Sequence, residues 1–314
     1  MTEPMRLIID TDAGVDDAQA IMMALAHPGV TVEAITTLSG NIHVDKVVRN
    51  VLTVMDVMGV RFPVYRGAES ALLIGMPPEE VHVHGDDGMG DWPERPPVRG
   101  EIEAEHAAAA LVRLINEAPG ELTLIALGPL TNLALAIKLD PELPYKIKRF
   151  VFMGGTVNGR GNTMMVTAEW NIYCDPEAAA LVLASFPDST MLSWEATVWN
   201  PLPWDVYYEL SAAPTPAGRM FAGITAKTRD FAEHLKPRLP GYLIPDPLAM
   251  ALVLQPELAL ESFHHYTVVE LRGEYTRGQT VIDYMNRLRK PANVLHVTKL
   301  DMAGVAELYR AAIL

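Results

Sequence analysis

The sequence of 314 residues is poor in cysteine, in basic residues and in long apolar segments. Its single cysteine, Cys174, excludes a disulfide-stapled fold and a cysteine-based zinc or redox site. Asp and Glu number 39 against 25 Lys and Arg, which argues against nucleic acid or an anionic membrane surface as the main partner. The apolar segment 122–137 is interrupted by glycine, proline and polar residues, so it is not a membrane span. Residues 1–12 hold no apolar stretch long enough for a signal peptide, and we expect a soluble cytoplasmic protein.

Short β-branched runs alternate along the chain with longer segments of helical periodicity. The early runs are apolar throughout, which is typical of strands covered on both faces. Together they predict βαβ units and an α/β fold with a mostly parallel central sheet and flanking helices, in a single domain over 1–314. Predicted strands cover 6–10, 32–38, 122–127, 149–153, 190–193, 266–270 and 294–297. Predicted helices cover 17–26, 44–58, 103–117, 130–138, 176–184 and 247–254.

Two proline-containing segments, 77–100 and 195–216, are predicted to be long irregular loops, because the apolar pattern resumes after each. Small and polar residues follow four of the predicted strands. They lie at 11–17, 39–41, 128–132 and 154–156. Open parallel sheets bind their ligands at the carboxyl ends of the strands, so we expect the functional site there.

Four aspartates, Asp10, Asp12, Asp16 and Asp17, lie at the turn from the first predicted strand into the first helix. Helix capping accounts for one or two of them. Four carboxylates on one turn repel one another unless a cation or shared protons intervene, and oxygen ligands favour Ca²⁺ or Mg²⁺. Asp246, at the start of a predicted helix, is the best-placed distant ligand. Asp16 could take the proton of a water held by the ion.

Residues 10–20 (DTDAGVDDAQA) resemble the N-terminal aspartate motif of the inosine-uridine-preferring nucleoside hydrolases. Further segments resemble that family in the same order: 36–41 (TTLSGN), 127–132 (LGPLTN), 153–155 (MGG), 168–179 (AEWNIYCDPEAA) and 246–247 (DP). The resemblance implies the family's Rossmann-like fold, with loop 77–100 and a helical lid segment, 195–243, over the site. It also implies hydrolysis of ribonucleosides to free base and ribose.

The resemblance also implies roles for individual residues. One Ca²⁺ per chain would be held by Asp12, Asp17, Asp246 and the backbone carbonyl of Leu127. Asp16 would be the general base that activates a metal-bound water, and Asp10 would orient the loop. The substrate would be bound by Asn41, Met153, Asn162, Glu169, Trp170 and Asn171. The expected partners are a small-molecule ribonucleoside and further copies of the chain, in a homodimer or homotetramer.

The leaving base needs a proton unless it departs as an anion. One branch of the family has a histidine directly before the late aspartate, where this chain has Pro245. His84, in the family-like stretch 82–88 (HVHGDDG), is the first candidate for a catalytic acid, and His234 is the second. Trp170 and Tyr242 are candidate stacking partners for the base.

Two alternatives stay open. A haloacid dehalogenase-type phosphatase also has Asp-x-Asp after its first strand, but the continuation at 14–17 is not its usual one, and no lysine is obviously placed for a phosphate. A metal-dependent sugar- or nucleoside-binding protein without turnover would keep the aspartate cluster, although an intact Asp16 argues against it.

Overall fold

The computed structural model describes residues 4–234 and 239–314. The strands are β1 (Met5–Thr11), β2 (Val30–Thr37), β3 (Val64–Arg66), β4 (Leu122–Ala126), β5 (Arg149–Met153), β6 (Ser189–Leu192), β7 (Leu202–Pro203), β8 (Gly241–Tyr242), β9 (Ala259–His265), β10 (Thr267–Val269), β11 (Thr280–Ile282) and β12 (Val294–Leu300). The helices are α1 (Val15–Ala26), α2 (Val44–Met58), α3 (Val81–His84), α4 (Ala107–Glu117), α5 (Thr131–Leu139), α6 (Trp170–Cys174), α7 (Pro176–Ser185), α8 (Trp194–Trp199), α9 (Trp204–Ser211), α10 (Pro216–His234), α11 (Pro245–Leu254) and α12 (Met302–Ile313). None of the helices in these two ranges is long and apolar enough to cross a membrane.

Eight strands form a central sheet in the order β3-β2-β1-β4-β5-β6-β12-β9. Every neighbouring pair is parallel except β12 with β9, which is antiparallel. The α/β fold with a mostly parallel sheet and flanking helices is therefore confirmed. The chain adds β2 and β3 on one side of β1 and then continues with β4 on the other. Such a reversal leaves a crevice outside the carboxyl ends of the strands, where open sheets bind ligands.

The apolar strand sequences are explained by two hydrophobic cores, one on each face of the sheet. In β1, Leu7 and Ile9 pack into the core that holds α1, α11 and α12. Ile8 faces the other way and packs with α5 and α7. Because successive side chains of a strand point to opposite faces, a strand buried on both faces carries apolar residues on both.

The prediction of an irregular loop over 195–216 is wrong, because this segment carries most of α8, all of α9 and the short strand β7. Its prolines lie between or at the start of elements: Pro201 and Pro203 separate α8 from α9, and Pro216 begins α10. Proline is compatible with the first turn of a helix, since the N–H that it lacks has no helical partner there. The segment 77–100 is irregular apart from α3. The strands β3, β7, β8, β9 and β11 and the helices α3, α6 and α12 were absent from the prediction.

A buried histidine in β12 makes the stability of this fold pH-dependent. His296 stacks on Phe263 with ring centroids 4.8 Å apart, its Nε2 lies 2.8 Å from Thr267 Oγ1, and its Nδ1 has no partner. Burial lowers its pKa to about 3. Between that pH and about 6.5, the usual histidine pKa, the unfolded chain binds more protons than the folded chain. This group therefore destabilises the fold as the pH falls through that window.

Between about pH 6 and pH 4, we expect the free energy of unfolding of His296→Gln to fall less steeply than that of the wild type. The difference in slope should be at most about 1.4 kcal/mol per pH unit. Urea unfolding of both proteins across this range measures the effect. Parallel curves of unfolding free energy against pH would contradict the assignment.

Candidate active site

A cavity of about 460 Å³ opens at the carboxyl ends of the central strands. Its wall includes Asp16 after β1, Asn41 after β2, Leu127 after β4 and Met153 at the end of β5. The residues that were predicted from the sequence and that line it are Asp16, Asn41, His84, Leu127, Met153, Asn162, Glu169, Trp170, Asn171, Tyr242 and Asp246. Asp10, Asp12 and Asp17 are fully buried and do not line the cavity.

An aspartate cluster lies on the cavity wall and directly beneath it. Carboxylate oxygens of Asp16, Asp17 and Asp246 lie within 4.8 Å of one another. Asp12 adds a further carboxylate, whose Oδ2 accepts the backbone N–H of Asn41 at 2.7 Å. Asp12 Oδ1 and Asp16 Oδ1 are buried without a hydrogen-bond partner. Such a cluster of oxygen ligands could hold a metal ion.

The burial of these acids disfavours their charged forms. Burial raises the pKa of Asp16 to about 6. Burial, and then the neighbouring charge of Asp17, raises the pKa of Asp12 and of Asp246 above the usual range. A divalent cation would offset the repulsion and occupy the unpartnered oxygens, so the donor set fits a hard metal ion.

The turn between β1 and α1 aims the aspartates through local hydrogen bonds. Asp17 Oδ2 accepts the N–H of Gly14 at 2.8 Å, and its Oδ1 accepts the Thr11 hydroxyl. A Cβ on Gly14 would lie 2.5 Å from His84 Nδ1, and a Cβ on Gly40 would lie 2.1 Å from Asp12 Oδ2. Only glycine allows this close approach at both positions.

Asp10 lies behind the cluster and joins neighbouring strands. Its Oδ1 accepts the Thr36 hydroxyl at 2.6 Å and the Asn132 amide at 2.8 Å. Asn132 also donates to the Thr37 carbonyl at 3.0 Å and accepts the N–H of Ala68 at 2.9 Å. The contacts of Asp10 are therefore those of a residue that supports the turn.

A second group of polar side chains comes from the segment after β5. Glu169 caps α6 and accepts backbone N–H groups from Gly155 and Asn171, both at 2.9 Å. Burial raises its pKa to about 7. Asn171 donates to the carbonyls of Leu127 at 2.6 Å and Met153 at 3.1 Å.

Asn162 and Trp170 lie on the same wall and are joined to each other. The side-chain oxygen of Asn162 accepts the backbone N–H of Trp170 at 2.9 Å. This bond fixes the loop that leads into α6 against the start of that helix. The cavity thus has a polar floor made from four strand ends and one helix N-terminus.

The structure brings one of the two candidate histidines to the cavity. His84 is buried, its Nδ1 accepts the N–H of Val15 at 3.1 Å, and that atom lies 3.8 Å from Asp16 Oδ1. Burial lowers its pKa to about 4, so it is neutral at pH 7 with its proton on Nε2. His234 does not line the cavity, and its Nδ1 lies 2.6 Å from the Asp230 carbonyl.

The outer wall of the cavity is mostly apolar, and most of its residues were not predicted individually. Its members are Trp194, Val198, Phe231, Ala232, Leu239 and Leu243, joined by the predicted Tyr242. The signal was the helical spacing of Trp194 with Val198 and of Thr228 with Phe231, each three or four residues apart.

A family model described as inosine-uridine preferring nucleoside hydrolase matches residues 7–307. The non-specific ribonucleoside hydrolase RihC of Salmonella enteritidis PT4 is 36% identical, over 99% of this chain and 100% of its own. Among solved structures, an inosine-guanosine nucleoside hydrolase is 32% identical with a TM-score of 0.91, over 99% of this chain and 98% of its own. A purine-preferring ribonucleoside hydrolase from Gardnerella vaginalis is 30% identical with a TM-score of 0.90, over 98% of each chain. The chain therefore belongs to the inosine-uridine preferring nucleoside hydrolase family, a family of enzymes that hydrolyse N-glycosidic bonds.

Proposed function

We propose that this chain hydrolyses ribonucleosides to free base and ribose, with Asp16 as the general base. The observation that carries the proposal is the position of Asp16. It lies on the cavity wall with one carboxylate oxygen unpartnered, beside two further carboxylates and next to a wall of amide side chains. A base must reach the attacking water, and an oxygen without another hydrogen bond is free to take its proton.

The metal in this proposal is Ca²⁺, held by Asp12, Asp17, Asp246 and the carbonyl of Leu127. Ca²⁺ accepts six to eight oxygen ligands in flexible geometry, which suits carboxylates that come from a turn and a distant helix. When bound, the ion supplies positive charge that lowers the pKa of water and attracts the ribose hydroxyls.

The protein's own residues would bind the sugar and stabilise its charge. Asn41, Glu169 and Asn171 offer donors and acceptors to the ribose hydroxyls, while Met153 packs against the sugar. As the C1′–N bond breaks, positive charge develops on the ribose, and the surrounding carboxylates stabilise it. Asp16 takes a proton from the water that attacks C1′. The path parallels O-glycoside hydrolysis but forms no covalent intermediate.

The base would lie against the apolar outer wall. Trp170, Tyr242 and the newly found Trp194 and Phe231 offer aromatic faces on which a purine or a pyrimidine can pack. The relatives named above are described as non-specific, inosine-guanosine and purine-preferring, so the base preference of this chain is a matter for assay. His84, which lines the cavity, is proposed as the second catalytic residue, the acid that protonates the leaving base, and Asn162 as a further substrate contact.

At the level of the whole chain we propose a single domain over 1–314, in which 77–100 and 195–243 cover the site. Both segments contribute to the cavity wall, although residues 235–238 lie outside those the structure describes. A homodimer or homotetramer in the cytoplasm completes the proposal. The phosphatase alternative is disfavoured, because no lysine lines the cavity among the described residues.

The proposal predicts ribose release from inosine, adenosine, guanosine, uridine or cytidine that stops when a chelator removes the metal. We expect 2′-deoxyinosine to react at least about 10²-fold more slowly than inosine, since it leaves charged and buried polar partners of the 2′-hydroxyl unpaired. Reducing-sugar assays of both substrates measure the ratio. Equal rates would overturn the ribose-binding assignment, and no release from any nucleoside would overturn the proposed function.

A further inference from the structure

The loop that joins β5 to α6, residues 154–169, forms part of the cavity wall and brings Asn162 to it. The side-chain oxygen of Asn162 accepts the N–H of Trp170 at 2.9 Å. Because that oxygen is engaged, the side-chain NH₂ is the group that Asn162 offers to a substrate. The place of this donor in the cavity therefore depends on the backbone of the loop.

Glu195, in the first turn of α8, binds the backbone of this loop from outside the cavity. The side chain is buried, with the residue 2% exposed. Its Oε2 accepts the N–H of Val157 at 2.7 Å, and its Oε1 accepts those of Asn158 and Arg160 at 2.8 and 3.1 Å. Hydrogen bonds to a carboxylate are about twice as strong as those between neutral groups. One side chain thus fixes three backbone groups that lie shortly before Asn162 in the chain.

The loop is shaped around this carboxylate. Gly159 has a φ of +67°, in the left-handed region that glycine adopts without strain. The N–H groups on either side of it, those of Asn158 and Arg160, converge on the same oxygen of Glu195. Neighbouring N–H groups in such turns form concavities that bind anions, and here the chain supplies the anion itself.

The same contacts join the loop to the outer wall of the cavity. The backbone N–H of Trp194 donates to the Gly155 carbonyl at 3.0 Å, and α8 carries Trp194 and Val198 of that wall. On its other side the loop is held at 156 and 157. There Thr280 Oγ1 accepts the N–H of Thr156 at 2.7 Å, and the Tyr284 hydroxyl donates to the Val157 carbonyl at 3.1 Å.

We propose that Glu195 is a positioning residue for the substrate: it holds the β5–α6 loop so that Asn162 meets the ribose. The inference rests on the proposed nucleoside hydrolase activity and on the proposed contact of Asn162 with substrate. Glu195 exchanges no proton with the substrate and does not touch it. Its effect on the reaction passes through the loop.

The test is a double-mutant cycle of Glu195→Gln with Asn162→Ala. Glutamine keeps the size of the side chain but replaces one acceptor oxygen by an NH₂ group, which cannot accept an N–H. We expect kcat/KM for inosine to fall about tenfold or more in Glu195→Gln, but by less than about twofold when Asn162 is already alanine, since residues that act through one contact are not additive. A tenfold loss in both backgrounds would overturn the proposal. So would an unchanged kcat/KM in Glu195→Gln, or Asn162→Ala as active as the wild type.

Gly159→Ala reaches the same loop without altering the buried side chain, and it decides the matter if Glu195→Gln does not fold. The added methyl would lie 3.0 Å from Gln279 Nε2, the end of a flexible side chain, so the strain comes from the positive φ. We expect kcat/KM for inosine to fall in this variant also, and the loss to vanish when Asn162 is alanine. Unchanged kinetics would contradict the proposal.

Hydrogen exchange measures the hold on the loop without turnover. The amides of Val157, Asn158 and Arg160 should exchange faster in Glu195→Gln than in the wild type, and equal rates would overturn the role of Glu195. Asp140→Asn is the control, because its carboxylate also accepts a backbone N–H, that of Glu142 at 3.1 Å, but at the C-terminal end of α5 and away from the cavity.

The control should leave kcat/KM and the exchange of the loop unchanged. A wild-type chain that releases ribose from no nucleoside would refute the proposed function. The exchange rates would then still decide whether Glu195 holds the loop.

Discussion

Asp16→Asn is expected to lower kcat for ribonucleoside hydrolysis by about 10³-fold, within the range that general acid–base catalysis contributes. The amide keeps the size and one oxygen of the side chain but cannot take a proton from water. Since Asp16 lies on the wall and is not one of the proposed metal ligands, ribose binding should persist. Steady-state kinetics with inosine and calorimetric titration with ribose measure the two effects separately.

The control for this variant is Asp205→Asn, because Asp205 is an acidic residue in the first turn of α9 and is exposed. It should leave both measurements unchanged. If Asp16→Asn retains turnover, another group is the base. Loss of ribose binding together with activity in Asp16→Asn would indicate a structural role for Asp16. If the wild-type chain binds ribose but turns over no nucleoside, the sugar-binding alternative is favoured.

Asp246→Ala is expected to abolish metal binding and activity together. The carboxylate is buried at the start of α11, within 4.8 Å of those of Asp16 and Asp17, and alanine removes this proposed ligand. A metal that binds only the folded chain stabilises the wild type by about 2.7 kcal/mol at a hundredfold excess over Kd. The variant should lose this stabilisation, which thermal unfolding with and without Ca²⁺ measures independently of activity.

Asp205→Ala again supplies the matched control, since both acids lie in the first turn of a helix and only Asp246 is buried. A Ca²⁺-dependent rise in Tm in Asp246→Ala equal to that of the wild type would exclude Asp246 as a ligand. Full activity of the wild type in chelator would exclude the metal from the reaction altogether. Replacement of Ca²⁺ by Mg²⁺ in the same assay decides which ion the site prefers.

The sequence predicted those parts of the site that are formed by neighbouring residues. The turn at 10–17 carries its aspartates, its cap and its close-packed Gly14 within eight residues, so local sequence defines its chemistry. The largely apolar strands predicted the parallel sheet, because a strand that is covered on both faces is apolar at most of its positions. Asn132 lies in the family-like segment 127–132, but its contact with Asp10 depends on the pairing of β1 with β2 and β4.

The tertiary structure alone decided which distant groups meet. Asp246 was predicted as a ligand from its place at a helix start and from the resemblance, but the contact itself comes from the packing of α1 against α11, since no local pattern encodes a contact across 230 residues. The resemblance implied a helical segment over 195–243, but the individual residues of the outer wall on α8 and α10 were not predicted, because they meet only when these helices pack over the cavity. Local sequence thus determined the reactive turn. The contact of Asp246 with that turn and the assembly of the outer wall depend on long-range packing, which a single sequence does not display.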